Sequence, residues 1–200
     1  SARELLQRRA MRRIKIAILI SGHGSNLQAI LDAAHSEDYP AEIALVISNV
    51  ETAYGLTRAQ NAGVTTVTIP HGNYANREAF DAMVDASLKT HGIELVVMAG
   101  FMRILSDGFV HEWQGKLINI HPSLLPKYKG LNTHARALEA GDTEHGATVH
   151  WVAPELDSGE IIAQRSTPIA ADETLKTKVH ALEHALYPEA MKLVALSLKL

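Results

Sequence analysis

Apolar residues in this chain fall into short runs separated by stretches of helical spacing. Residues 14–20 are apolar except for Lys15 and read as a strand buried on both faces. Ser21-Gly22-His23-Gly24-Ser25 breaks that run, and residues 26–34 read as a helix. Residues 42–48 are a second strand, and residues 53–62 a helix closed by Gly63, a common C-terminal signal. A short β-branched strand follows at residues 65–69. Residues 76–90 are helical, with Phe80, Met83, Val84 and Leu88 on one face and Gly92 beyond the end. Residues 94–99 and 116–120 supply a fourth and a fifth strand. Strands alternating with helices imply βαβ units and a mostly parallel sheet flanked by helices.

The pattern changes after about residue 132. Residues 134–139 read as a short helix, and residues 147–152 and 160–168 as paired strands joined by the loop 153–159. Residues 172–199 are helical, with a break or kink expected at Pro188. No repeat, linker or low-complexity stretch divides the chain. The expectation is one α/β domain over residues 14–200, with antiparallel C-terminal strands and a long C-terminal helix, behind a flexible basic extension of residues 1–13.

Composition narrows the chemistry. With 46% hydrophobic and 20% charged residues, the 200-residue chain fits an ordinary globular domain. A net charge of −3 gives no general attraction to nucleic acid or to anionic membrane. The absence of cysteine excludes disulfides, thiolate catalysis and cysteine-ligated metal. The longest apolar run, residues 95–102 with Gly100 counted in, is too short to span a bilayer. Arg3, Arg8, Arg9, Arg12 and Arg13 ahead of residues 16–20 superficially resemble a signal peptide. The apolar run is too short for one, and a glycine-rich turn replaces the cleavage site, so a cytoplasmic location is expected.

The glycine-rich turn follows a strand and opens a helix, as anion-binding turns do. A dinucleotide fingerprint fails, because the third glycine is Leu27 and the second strand ends in Ser48-Asn49 rather than an acidic residue. No Lys-Ser/Thr pair follows the glycines, which removes a nucleoside triphosphate loop. A single phosphate monoester fits better. The competing reading is a tight strand-to-helix turn with a capped helix.

Asn119 and His121 stand two residues apart at the end of the fifth strand, and therefore on one face. Imidazole titrates near neutrality and serves as general acid or base, whereas a carboxamide can only donate to a developing oxyanion. Pro122 and Pro126 end the strand and stiffen the loop beyond it. Asp157 lies in a polar loop before Gly159, where a lone aspartate is an ordinary turn residue. Beside His121 it would favour the imidazolium. Ser123 has no identifiable base and no nucleophile elbow around it. His180-Ala181-Leu182-Glu183-His184 matches the H-x-x-E-H zinc pattern, but no third ligand is evident among the 11 histidines.

Ser21-Gly22-His23-Gly24-Ser25-Asn26-Leu27-Gln28-Ala29-Ile30 resembles the opening motif of the folate-dependent phosphoribosylglycinamide formyltransferases. Ala99-Gly100-Phe101-Met102-Arg103-Ile104-Leu105 is similar to their folate-side segment. Residues 119–130 resemble their signature, and residues 145–150 and 155–159 continue the likeness, which covers about residues 14–190.

The resemblance implies a Rossmann-like formyltransferase fold and transfer of the formyl group of 10-formyltetrahydrofolate to the primary amine of phosphoribosylglycinamide. It implies that Asn119, His121 and Asp157 are catalytic, and that no metal takes part. Gly24, Ser25, Asn26, His180 and Glu183 would meet the amine substrate. Arg77, Met102, Arg103, Ile104 and Leu105 would border the folate together with Asn119, and Ala153, Pro154, Glu155, Leu156 and Asp157 would close over its pterin. His23 stands where relatives are expected to carry Asn, either near the phosphate or in solvent.

Related enzymes use the same three residues. A formyltetrahydrofolate deformylase is expected to carry a regulatory domain in front, and a methionyl-tRNA formyltransferase a basic C-terminal RNA-binding domain. Neither is expected of a chain with 13 residues before its first strand and its last residue at Leu200. The expected partners are small molecules, with a monomeric or homodimeric protein.

Overall fold

The computed structural model describes residues 1–170 and 174–199. Among these residues, seven strands form a single sheet in the order β3-β2-β1-β4-β5-β6-β7. They are β1 (Ile14–Ile20), β2 (Ala41–Ser48), β3 (Thr66–Thr68), β4 (Leu95–Met98), β5 (Leu117–His121), β6 (Glu144–Trp151) and β7 (Ile161–Pro168). Pairing is parallel from β3 across to β5, and antiparallel for β5 with β6 and for β6 with β7. Among the described residues, seven α-helices accompany them: α1 (Ala2–Met11), α2 (Ser25–Ala34), α3 (Tyr54–Asn61), α4 (Arg77–Thr90), α5 (Asp107–Glu112), α6 (Thr133–Glu139) and α7 (Leu175–Leu198).

The strand order places the site. The chain winds outward from β1 to β2 and β3, then returns to place β4 on the other side of β1. Loops leaving β1 and β4 therefore diverge and open a crevice at their carboxyl ends, the usual binding place in such sheets.

The alternation of β1 builds both faces at once. Ile14, Ile16, Ile18 and Ile20 pack with Leu27 and Ile30 of α2 and with Leu186, Tyr187, Ala190 and Met191 of α7. Ala17 and Leu19 face the other layer, with Phe80, Val84 and Leu88 of α4 and Phe109 and Val110 of α5. Tyr187 anchors α7 to the sheet: its buried hydroxyl donates to the Met98 carbonyl at 2.7 Å. Glu183 lies one helical turn earlier and is carried to the crevice with it.

Four sequence expectations change. Within residues 1–13, where no element was expected, α1 is a helix with a Ser1/Glu4 capping box, and none of its residues is buried. On α4 the inward positions belong to Phe80, Asp81, Val84 and Leu88, while Met83 is 47% exposed. α7 runs through Pro188 unbroken, and the start expected at residues 172–173 lies outside the described residues. β6 begins three residues earlier than expected, at Glu144, extending its pairing with β7 to Pro168. The six-residue α5 escaped notice because it is too short for a periodic signal and contains Gly108.

Candidate active site

β5 carries Asn119 and His121 to the end of the sheet, beside β4 on one edge and β6 on the other. His121 is buried and both of its ring nitrogens face partners. Nε2 donates to the Tyr128 carbonyl at 2.8 Å. Nδ1 lies 3.4 Å from Asp157 Oδ2. Asp157 arrives from the loop after β6, in the left-handed conformation at φ 51°. The same Oδ2 accepts from the Gly130 amide at 2.9 Å, so the loop after β5 and the loop after β6 are fastened to each other through this carboxylate.

The β6 loop has to double back to bring Asp157 there. β6 ends at Trp151, opposite Ile118 near the start of β5, whereas Asp157 meets His121 at its end. Gly159 permits the reversal: a Cβ there would sit 1.6 Å from the Trp151 carbonyl oxygen.

His150 belongs to this group, and no sequence signal singles it out among 11 histidines. It pairs across the ladder with Asn119. Its Nδ1 donates to the Trp151 carbonyl at 2.9 Å. Burial pushes its imidazole below the usual range, a shift opposed by Trp151 and Asp157 and reinforced by His121. The neutral ring then turns the lone pair of Nε2 toward the Asn119 amide nitrogen, 3.5 Å away. That contact sets which end of the carboxamide is the donor. His150 Nε2 also lies 3.9 Å from Asp157 Oδ1, so His150 touches two of the three sequence candidates.

The glycine turn sits across the crevice. Gly24, at φ 80°, is the N-cap of α2 and provides no side-chain cap, leaving the first amides of the helix without intrahelical partners. Asn26, in the first turn, donates from Nδ2 to Glu183 Oε1 at 3.3 Å, while its own Oδ1 is buried without a partner. Burial raises the Glu183 carboxyl to about 7, against a lowering by Asn26. His180 and His184 lie on the same helix with ring centroids 6.4 Å apart. Burial lowers the pKa of both. The glutamate of the H-x-x-E-H pattern thus points to Asn26, and among the described residues no three His, Asp or Glu side chains are grouped to hold a metal. His23 is exposed, and its ring lies against Arg58 and Tyr54.

Residues 99–105 leave β4 over the other layer. Met102 is 72% and Ile104 60% exposed, while Leu105 is buried in the core. Arg103 lies 5.7 Å over the Phe80 ring, with Nε buried and unpartnered. Arg77 opens α4 and lines a cavity of about 320 Å³ with Glu78, Ser106, Asp107 and Gly108. In the loop that carries Asp157, Ala153 and Pro154 line a second cavity of about 630 Å³, and Leu156 is exposed. Glu155 accepts from the Ser158 hydroxyl through its carbonyl at 2.7 Å, which tightens that loop. Ser21 connects the two sides. Its hydroxyl donates to Asn49 Oδ1 and accepts from the Met102 amide at 2.8 Å.

An open α/β sheet with this group of side chains at its carboxyl edge has a counterpart among known families. Residues 14–191 match the family model described as Formyl transferase, and the chain belongs to that family. Phosphoribosylglycinamide formyltransferase of Escherichia coli is 47% identical over 178 residues, covering 88% of this chain and 84% of its own. The Haemophilus influenzae protein of the same name is 46% identical, covering 89% and 85%. The solved structure of the Coxiella burnetii phosphoribosylglycinamide formyltransferase superposes with a TM-score of 0.89 at 49% identity, over 93% of this chain and 89% of that one. The human trifunctional purine biosynthetic protein adenosine-3 is 46% identical over 92% of this chain, and the chain spans only 18% of its length.

Proposed function

We propose that this chain transfers a formyl group from 10-formyltetrahydrofolate to the primary amine of phosphoribosylglycinamide, a step of purine biosynthesis. The observation that carries this reading is the convergence of Asn119, His121 and Asp157 from separate parts of the chain, with His121 Nδ1 at 3.4 Å from Asp157 Oδ2. The names of relatives similar over most of their own length add the substrates.

The neutral amine attacks the formyl carbon, and a tetrahedral intermediate forms with negative charge on the formyl oxygen. Asn119, its amide end held by His150, donates to that oxygen. Of the two contacts of His121, the one to Asp157 is the longer, so Nδ1 is the nitrogen available to the reacting groups. As imidazolium it stabilises the oxyanion and then supplies the proton that leaves with the folate nitrogen. Asp157 stabilises the imidazolium and takes up the proton released by the amine, directly or through a water. No metal is needed, because a neutral amine is already a nucleophile.

The first amides of α2, at Gly24, Ser25 and Asn26, hold the phosphate. Glu183 and His180 meet the remainder of the amine substrate. The exposed apolar side chains of Met102, Ile104 and Leu156 offer a surface to the folate ring system, and Arg77 and Arg103 border the folate. A steady-state assay of tetrahydrofolate release tests the reading. Release that requires phosphoribosylglycinamide is expected; release at the same rate into water alone would overturn it.

A further inference from the structure

Arg58 of α3 makes more contacts to the glycine turn than any role on its own helix requires. Its Nε donates to the His23 carbonyl at 2.9 Å, and its Nη2 lies 2.8 Å from His23 Nε2. A guanidinium cannot accept, so Nε2 is the acceptor in this contact. The Nη1 group donates to Gln28 Oε1 on α2 at 3.2 Å. The guanidinium carbon sits 4.9 Å over the Tyr54 ring, and that ring stacks on His23 at 5.3 Å and 19°. One side chain thus grips the backbone of residue 23, its ring and the first turn of α2.

The packing beneath leaves the turn no room to shift toward α3. The Gly55 amide donates to the Gly22 carbonyl at 3.0 Å. A Cβ on Gly24 would come 2.8 Å from Gly55 Cα, and one on Gly55 would come 2.4 Å from Ile20 Cδ1. The peptide between residues 23 and 24 is held through its carbonyl by Arg58. In a trans peptide the carbonyl and the amide N–H point in opposite directions. Holding the His23 carbonyl on Arg58 therefore turns the Gly24 N–H to the opposite side, away from Arg58.

We propose that Arg58 is the positioning residue of the anion-binding turn: it touches no substrate, and acts by fixing the peptide that aims the Gly24 amide at the phosphate. This rests on the reading of Gly24, Ser25 and Asn26 as the phosphate site. His23 joins the device as the acceptor that spreads the grip over both guanidinium edges. Lysine, with a single ammonium, cannot span the carbonyl and the ring together.

The test is the kinetics of Arg58→Ala and Arg58→Lys in the full chain, with amide NMR shifts of Gly24, Ser25 and Asn26 on adding phosphoribosylglycinamide. Arg58→Ala should raise KM for phosphoribosylglycinamide about tenfold, the scale of one charge-assisted hydrogen bond, and leave kcat and KM for formyl-folate within about twofold. Arg58→Lys should recover only part of that loss. An unchanged KM, an equal rise in both KM values, or full recovery with lysine would overturn the proposal. Should Arg58→Ala fail to fold, Arg58→Met, which keeps a side chain of similar length and removes every donor, should raise the same KM alone. In the unsubstituted protein the three amides should shift on adding substrate. If they stay still, the phosphate-site reading itself fails; if they shift while Arg58→Ala leaves KM unchanged, only the role of Arg58 does.

Discussion

Glu183 of α7 and Asn26 of α2 meet through a single hydrogen bond, Nδ2 to Oε1 at 3.3 Å, with the glutamate 7% exposed. Burial is the main reason that the Glu183 carboxyl is raised to about 7 from an ordinary 4.5. An acid whose folded pKa is raised binds its proton more tightly when folded. Its penalty on stability is therefore absent below about 4.5, grows as pH rises, and is complete above about 7. The size is on the order of 3 kcal/mol. Glu183→Gln should remove the penalty, so that the substrate-free variant gains on the parent protein as pH rises from 4.5 to 7 in denaturant titrations. Parallel curves over that window would contradict the raised value.

His134 should act in the opposite sense. Its Nδ1 lies 3.0 Å from His145 Nε2. Burial, followed by the charges of His145, His180 and Lys176, lowers its pKa to about 4 from 6.5. A folded imidazole that resists protonation loses stability relative to the unfolded chain as pH falls through that interval. His134→Gln should flatten the acid limb of the stability curve between pH 6.5 and 4 and leave the neutral plateau unchanged. An acid limb as steep as that of the parent protein would place the titrating group elsewhere.

The catalytic reading predicts unequal losses around His121. His121→Ala should lower kcat by about 10²–10⁴ with the fold intact, the usual contribution of a positioned acid or base. Gly159→Ala tests the same site from a distance. Its Cβ would meet the Trp151 carbonyl oxygen at 1.6 Å, so the loop must shift and carry Asp157 away from His121. A large fall in kcat is expected, together with a loosened Gly130 amide by hydrogen exchange, since that amide is bound to Asp157 Oδ2. Near-parental kcat in either variant would remove the His121–Asp157 pair from the chemistry.

Much of this molecule could be read from residue order, and the limits have physical reasons. Parallel strands covered on both faces are continuous apolar runs, so β1, β2 and β4 stood out. Asn119 and His121 were legible because a strand repeats every two residues. Asp157 looked like a turn residue, because its partner His121 stands on a strand distant in sequence and only the family likeness gave it a role. His150 carried no signal: it lies in a strand buried on both sides, where a histidine reads as core. Arg58 was illegible for a different reason, as half of its grip is on a backbone carbonyl, which any residue supplies. On α4 the helical period put Met83 on the inward face by hydrophobicity, and the carboxylate that lies there instead belongs to Asp81.

That carboxylate has a purpose that can be tested. Asp81 is 3% exposed, and its Oδ2 accepts from the Ser106 amide at 2.6 Å, while Oδ1 is buried with no partner. Ser106 is the N-cap of α5 and ends the segment that carries Met102, Arg103 and Ile104. Asp81 thus fixes one end of that segment, and the Ser21 hydroxyl fixes the other through the Met102 amide. Asp81→Ala would remove the partner of the half-buried Ser106 amide, a cost of about 1 kcal/mol. It should also raise KM for formyl-folate more than KM for phosphoribosylglycinamide. Asp81→Asn keeps an acceptor in the same place and should restore most of the folate affinity. An equal rise in both KM values, or no recovery with Asn, would make Asp81 a residue of the core and nothing more.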